Sequence, residues 1–279
     1  MMRSLLDRKC NAEYAGGLLR ALLGAMVFAL PLLMTMEMWE LGASMDRLRL
    51  ALLLLVTLPM LVALSFYAGF ERTFSITDNI LDAFAALAVS VIGCATVLAV
   101  FGEIGPGIAW RDVVGKIAAL SFAAAIGALL ADKQFNDAAA KEDATHRKDH
   151  GTISRLFVMA IGAIFLALNI APTEEVVPLA SAMSPLQSIA LAVISLVALH
   201  AILTGVDHEE GVSVAGRFFR RTLAGYGVCL LMCGYILWTF GRADNVSLAE
   251  TASRIVVLAL PAALGAGAAR LLLGERSDD

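Results

Sequence analysis

The chain has 279 residues and a formal net charge of −4; 59% of its residues are hydrophobic, only 16% are charged, and the mean hydropathy is +0.79. Soluble globular chains carry about 45–50% apolar and about 25% charged residues. The excess here falls in long blocks of the kind a bilayer requires, which excludes a soluble globular domain and implies an all-α, polytopic transmembrane helix bundle.

The N-terminal "MMRSLLDRKCNAEYAGG" is too polar for a secretory signal, so no cleaved targeting segment is expected. About 20 apolar residues cross the hydrocarbon core as a helix. On that rule eight spans are expected, at 18–40, 49–70, 80–102, 113–131, 153–171, 184–206, 220–240 and 252–273. The first ends in "FALPLLMTMEMWELG", where Pro31 and Thr35 precede two carboxylates, Glu37 and Glu40. A carboxylate at the C-terminal end of a helix meets the unfavourable end of the helix dipole. Glu37 and Glu40 therefore either mark the headgroup region or serve a function.

The third span opens at Asp82, and the seventh carries Arg221 at the corresponding place, beside Arg220. Asp82 and Arg221 are expected to form a structural ion pair. The break "DKQFNDAAAKEDATHRKDHG", 132–151, reads as a solvated cytoplasmic linker. On the sixth span, "LHAILTGVDHEE" sets His200, Thr204, Asp207 and His208 at i, i+4, i+7 and i+8, on one helix face. An ionisable residue inside a span is a functional-site hypothesis, and a protonatable ring on such a stripe suits a proton path. The bland alternative is a histidine hydrogen-bonded between helices. Cys229 and Cys233 lie one turn apart in an apolar run and Cys94 in another; with no CxxC pair or nearby His they read as small buried hydrophobes, not metal ligands.

Lys and Arg divide 15 on the N-terminal side of the spans and 6 on the other, the full 21. The positive-inside rule then puts both termini in the cytoplasm and requires an even number of spans.

The sequence also matches itself. At an offset of 138, Gly24, Ala25, Ala29, Leu30, Thr35 and Glu37 fall on Gly162, Ala163, Ala167, Leu168, Thr173 and Glu175. At 139, Cys94, Phe101 and Gly102 fall on Cys233, Phe240 and Gly241. At 138 again, "KIAALSFAAAIGA" from Lys116 lies on "RIVVLALPAALGA" from Arg254. Two parallel four-span repeats are implied, 1–131 and 152–279, joined by 132–151. In transporters built of parallel repeats the substrate site commonly lies between them.

Within that repeat Thr35-Met36-Glu37 is duplicated as Thr173-Glu174-Glu175, each near a proline, Pro31 or Pro172. Proline removes a backbone donor and frees a carbonyl. That carbonyl, a Thr hydroxyl and a carboxylate are oxygen ligands suited to hard cations. The candidate ion pathway is thus Thr35, Glu37, Glu40, Thr173, Glu174, Glu175, His200, Thr204 and Asp207. Small-residue runs on the fourth and eighth spans are expected packing faces, with Gly265 and Gly267 as contact points.

No phosphate loop, HExxH, GxSxG or dinucleotide fingerprint is present. An enzyme is not expected, nor a cofactor. The expected partners are the lipid bilayer and a small cation or proton, with no nucleic acid; a homo-oligomer is compatible. The function implied is a channel or transporter for a small cation or protons. The alternative is a scaffold or sensor that moves nothing and binds a partner through 132–151.

The block "LPLLMTMEMWELG" resembles the hallmark of a family of bacterial integral membrane proteins of unknown function, a likeness covering nearly the whole chain, and it implies a bacterial inner (cytoplasmic) membrane as the location. The run from Arg20 through Phe28 to Glu37 is fainter in its similarity to the first helix of the lysosomal and bacterial potassium-channel family. That family has a Phe-Ser-Asp after its Arg, and this sequence does not.

Overall fold

The computed structural model describes residues 2–68, 76–137, 152–206, 216 and 218–273. Every regular element among them is helical. In chain order these are α1 (Met2–Leu33), α2 (Met36–Ser44), α3 (Arg47–Ala68), α4 (Ile76–Val100), α5 (Trp110–Asp137), α6 (Thr152–Ile170), α7 (Val176–Ala182) and α8 (Pro185–Val206). A π-helical turn, Phe218–Leu223, then leads into α9 (Ala224–Thr239), and α10 (Leu248–Leu273) closes the chain. Eight segments among the described residues are long and apolar enough to cross a membrane, as expected.

The chain divides into two compact units, Met1–Arg147 and Lys148–Asp279. In the first unit α5 packs against α1, α2, α3 and α4. Its residues explain why: Ala119, Ala123, Ala124, Ala125 and Ala128 are all buried, and small side chains let several backbones approach one helix. In the second unit α10 packs against α6, α7, α8 and α9, through buried Ala259, Ala262, Ala263 and Ala266.

The closest crossings use glycine. A Cβ on Gly24 of α1 would overlap Ala131 and press on the carbonyl oxygen of Gly127 in α5. In the second unit a Cβ on Gly162 of α6 would overlap the Gly265 carbonyl oxygen and press on Ala269 in α10. Each member of the second set stands 138 positions after its counterpart. Gly267, the other expected contact, lies against the side chain of Ile202.

Helix boundaries fall in the same register. α3 and α8 begin at 47 and 185, 138 apart. α4 and α9 close with the same cap. Gly102 and Gly241 adopt left-handed φ of 79° and 70°. The amides of Glu103 and Arg242 then reach back to the carbonyls of Leu98 and Leu237 at 2.9 and 2.8 Å, the signature of a Schellman cap.

One expectation fails. The first span does not run from 18 to 40 as one helix: α1 stops at Leu33 and a separate helix starts at Met36. Four carbonyls at a helix C-terminus lack intrahelical donors, and here each is satisfied. Leu30 accepts from the Met34 amide at 3.0 Å and Leu32 from the Thr35 amide at 3.3 Å. Pro31 accepts from the Thr35 hydroxyl, and Leu33 from Trp39 Nε1 at 3.0 Å. With its carbonyls satisfied, the chain can turn at Thr35, whose backbone is extended (φ −106°, ψ 111°), and begin α2.

Candidate functional site

The candidate site residues lie near the ends of the spans. At the end where α1 gives way to α2, Glu37 lies in the first turn of α2 and not at the close of α1. The helix dipole therefore favours its carboxylate, the reverse of the sequence expectation. Glu37 is half-buried and Glu40 exposed. In the second unit Glu175 precedes α7 directly, and both it and Glu174 are exposed.

The oxygens expected to join these carboxylates are committed elsewhere. The Thr35 hydroxyl donates to the Pro31 carbonyl, and the Thr173 hydroxyl to that of Ile170 at 2.7 Å. Pro172 lies beyond the end of α6 and interrupts no helix; its carbonyl accepts from Arg242 Nη2 at 2.8 Å. No cluster of three or more His, Cys, Asp or Glu occurs among the described residues.

A basic residue does organise this end in each unit. Lys116 donates to the Glu103 carbonyl at 3.2 Å and pairs with the Glu103 carboxylate at 2.8 Å. Arg254, at Lys116's matched position, donates to the Arg242 carbonyl and pairs with Glu250. The carbonyls that receive these cations belong to the residues just after Gly102 and Gly241, so the glycine caps aim them. Arg242 thus stands where Glu103 does in the first unit, and the partner carboxylate is Glu250 on α10. Sequence reasoning matched Lys116 with Arg254 but did not foresee this role, because the carbonyl partner follows from the cap geometry.

At the opposite end of the second unit, His200 Nδ1 lies 2.8 Å from Thr222 Oγ1, and Phe218 meets the imidazole edge-on at 5.2 Å between ring centres. Thr222 and Phe218 both belong to the π-helical turn, a distortion found frequently at functional sites. Thr222 is buried and His200 half-buried. A neutral imidazole can accept the Thr222 proton at Nδ1 and present a proton at Nε2, while a charged one donates at both nitrogens. Of the expected stripe, Thr204 is exposed and its hydroxyl returns to the Ala201 carbonyl at 3.0 Å. Asp207 and His208 lie outside the described residues.

At the corresponding end of the first unit, Asp82 finds a partner on α3 of its own unit. Ser65 Oγ stands 3.1 Å from Asp82 Oδ2 and 3.3 Å from Asn79 Oδ1. Ser65 and Asn79 are 1% and 5% exposed, and Asp82 is half-buried; Asn79 and Asp82 make further interactions besides. Arg221 is half-buried and also engaged within the fold. Ser65 and Asn79 went unrecognised in the sequence; a polar pair facing Asp82 across a turn was the available signal.

A family model of integral membrane proteins, designated DUF2391, matches residues 17–273. The chain belongs to this family. The match spans all eight membrane-crossing segments but for Gly16, and with them every polar site described above. No curated protein matches the chain, and no solved structure does.

Proposed function

We propose that this membrane protein moves protons or a small cation across the bilayer, as a channel or transporter. The observation that carries the reading is His200: a titratable ring on an apolar span, hydrogen-bonded to Thr222 on a π-helical turn. Ionisable residues inside spans are costly and tend to mark ion and proton pathways. Histidine is also the side chain whose ordinary titration falls nearest neutral pH. The exposed carboxylates Glu40, Glu174 and Glu175, with Glu37, would raise the local cation concentration at the far ends of α1 and α6.

The frame supports the same reading. Matched glycine crossings, matched glycine caps and matched basic anchors favour descent of the two units from one duplicated four-span ancestor, an arrangement used by transporters. The division of Lys and Arg favours an inner-membrane protein with both termini in the cytoplasm.

Proton flux into proteoliposomes tests the role of His200. His200→Ala should abolish pH-dependent flux while the protein stays folded in detergent. His200→Gln keeps hydrogen bonding to Thr222 without titrating, and should abolish it equally. Full flux in both folded variants would remove His200 from the pathway.

A further inference from the structure

We propose that Ser195 and Tyr226 extend the proton path of His200 into the middle of the bilayer, as a relay of hydroxyls completed by bound water. The inference rests on the reading that this protein moves protons, and it names the residues that carry them past the imidazole.

Inside a span a hydroxyl is satisfied most simply by the carbonyl one turn back. The buried hydroxyls of Thr57, Ser90, Ser121, Ser195 and Thr239 all do this, at 2.6–2.8 Å. A phenol reaches away from its own helix and cannot. Tyr226 is 7% exposed, and its buried Oη closes no hydrogen bond of ordinary length. Ser195 of α8 faces it. The Ser195 proton goes to the Leu191 carbonyl at 2.8 Å, which leaves its lone pairs to accept. A buried donor left unmatched is costly, and a water between the two hydroxyls satisfies both. The packing suits this: α8 rests on the π-helical turn and on α10 but hardly on α9. Past the turn the two helices part, and Tyr226 reaches across.

These groups follow His200 inward. Thr222, its partner, stands one turn before Tyr226 in the same helical run. Ser195 lies five residues before His200, roughly 7.5 Å deeper, at the middle of its span, Pro185–Gly205. Two turns further along the same face of α8, Ser188 also has a buried Oγ that closes no hydrogen bond.

The first unit shows that the helices pack without them. At the positions matching His200, Thr222, Tyr226 and Ser188 stand Val62, Ala83, Leu87 and Leu50, all apolar. Ser195 has a polar counterpart in Thr57, with the same bond to the carbonyl one turn back. Polar groups are costly inside a span, and the second unit sets four of them in sequence where the first has alkyl groups.

The transfer balances. Thr222 passes its proton to His200 Nδ1 as the imidazole releases the one on Nε2. Water between Thr222 and Tyr226 refills Thr222 and is refilled by the Tyr226 hydroxyl. Tyr226 in turn takes a proton from the water it shares with Ser195. Each group ends with the protons it began with, no bond between heavy atoms changes, and every step runs equally in reverse.

Proton uptake by proteoliposomes holding the full chain, driven by a pH gradient with potassium and valinomycin to balance charge, tests the relay. The wild type should take up protons, and Tyr226→Phe should slow uptake about tenfold or more. The hydroxyl it loses closes no bond, so its melting temperature in detergent should not fall. Ser195→Ala should be slow too, and Ser195→Thr, which keeps a hydroxyl, should restore most of the rate. If Tyr226→Phe is unstable, Ser195→Thr against Ser195→Ala decides. Wild-type uptake in folded Tyr226→Phe, or equal loss in Ser195→Thr and Ser195→Ala, would overturn the relay and leave the reading of His200 standing. No proton uptake by the folded wild type would overturn both.

Discussion

Gly24, Gly127 and Ala131 of the first unit and Gly162, Gly265 and Ala269 of the second make the same helix crossing. Yet at the offset positions of Ser65, Asn79 and Asp82 in the one stand Leu203, Phe218 and Arg221 in the other. The difference separates two kinds of constraint. Where two backbones touch, no side chain but glycine fits, and both units carry it. Where a polar residue satisfies a neighbour inside a span, many solutions exist, and the units differ: oxygens in the first, an imidazole–hydroxyl pair with an aromatic and a guanidinium in the second.

The largest test of the shared frame is to crowd its crossings. Gly24→Val and Gly162→Val each press a side chain on backbone that cannot move aside, and each should cost about 3 kcal/mol or more. Unfolding of the purified protein in mixed micelles would measure both. Similar losses are expected; a large loss in one unit and none in the other would break the equivalence.

The basic anchors come next. Arg254 is 9% exposed at its side chain and Glu250 35%. Removing one partner of a fully buried pair costs about 3–5 kcal/mol, which Glu250's exposure reduces to about 1–2 kcal/mol for Arg254→Ala. Arg254→Lys should cost less, because lysine does the same work at Lys116. If Arg254→Lys is as damaging as Arg254→Ala in the same unfolding experiment, the two anchors are not equivalent.

The smallest effect belongs to the carboxylates. Glu37→Gln removes a charge from the first turn of α2 and should cost about 0.3–1 kcal/mol, while exposed Glu175→Gln should cost no more. Together the two changes should reduce cation flux most at low ionic strength, since salt screens over about 10 Å at 0.1 M. Full flux at low salt in the double variant would reduce these glutamates to helix markers.

The spans were legible because hydrocarbon demands long apolar helices whatever their neighbours, and the count of eight needed no tertiary information. The matches of Gly24 with Gly162 and Gly102 with Gly241 were legible too, as glycine stands in both units where nothing else fits. The break after Leu33 was not. It depends on Thr35 and Trp39 donating to carbonyls of the preceding turn, and residue spacing does not show which way a hydroxyl or an indole points. The misreading of Glu37 followed from that: a carboxylate at the end of an apolar run looks the same in sequence whether one helix ends there or the next begins. Thr204 shows the same limit, since i+4 spacing puts it on His200's face without giving it His200's partner. Ser65 escaped notice because its turn toward Asp82 exists only in three dimensions.

Ion movement itself is the central claim, and flux by the wild-type chain tests it most directly. Purified protein in proteoliposomes, with a membrane potential imposed, should take up protons, sodium or potassium faster than protein-free vesicles. Uptake no faster than in protein-free vesicles, for all three ions and in both directions of the gradient, with the protein folded, would contradict the account.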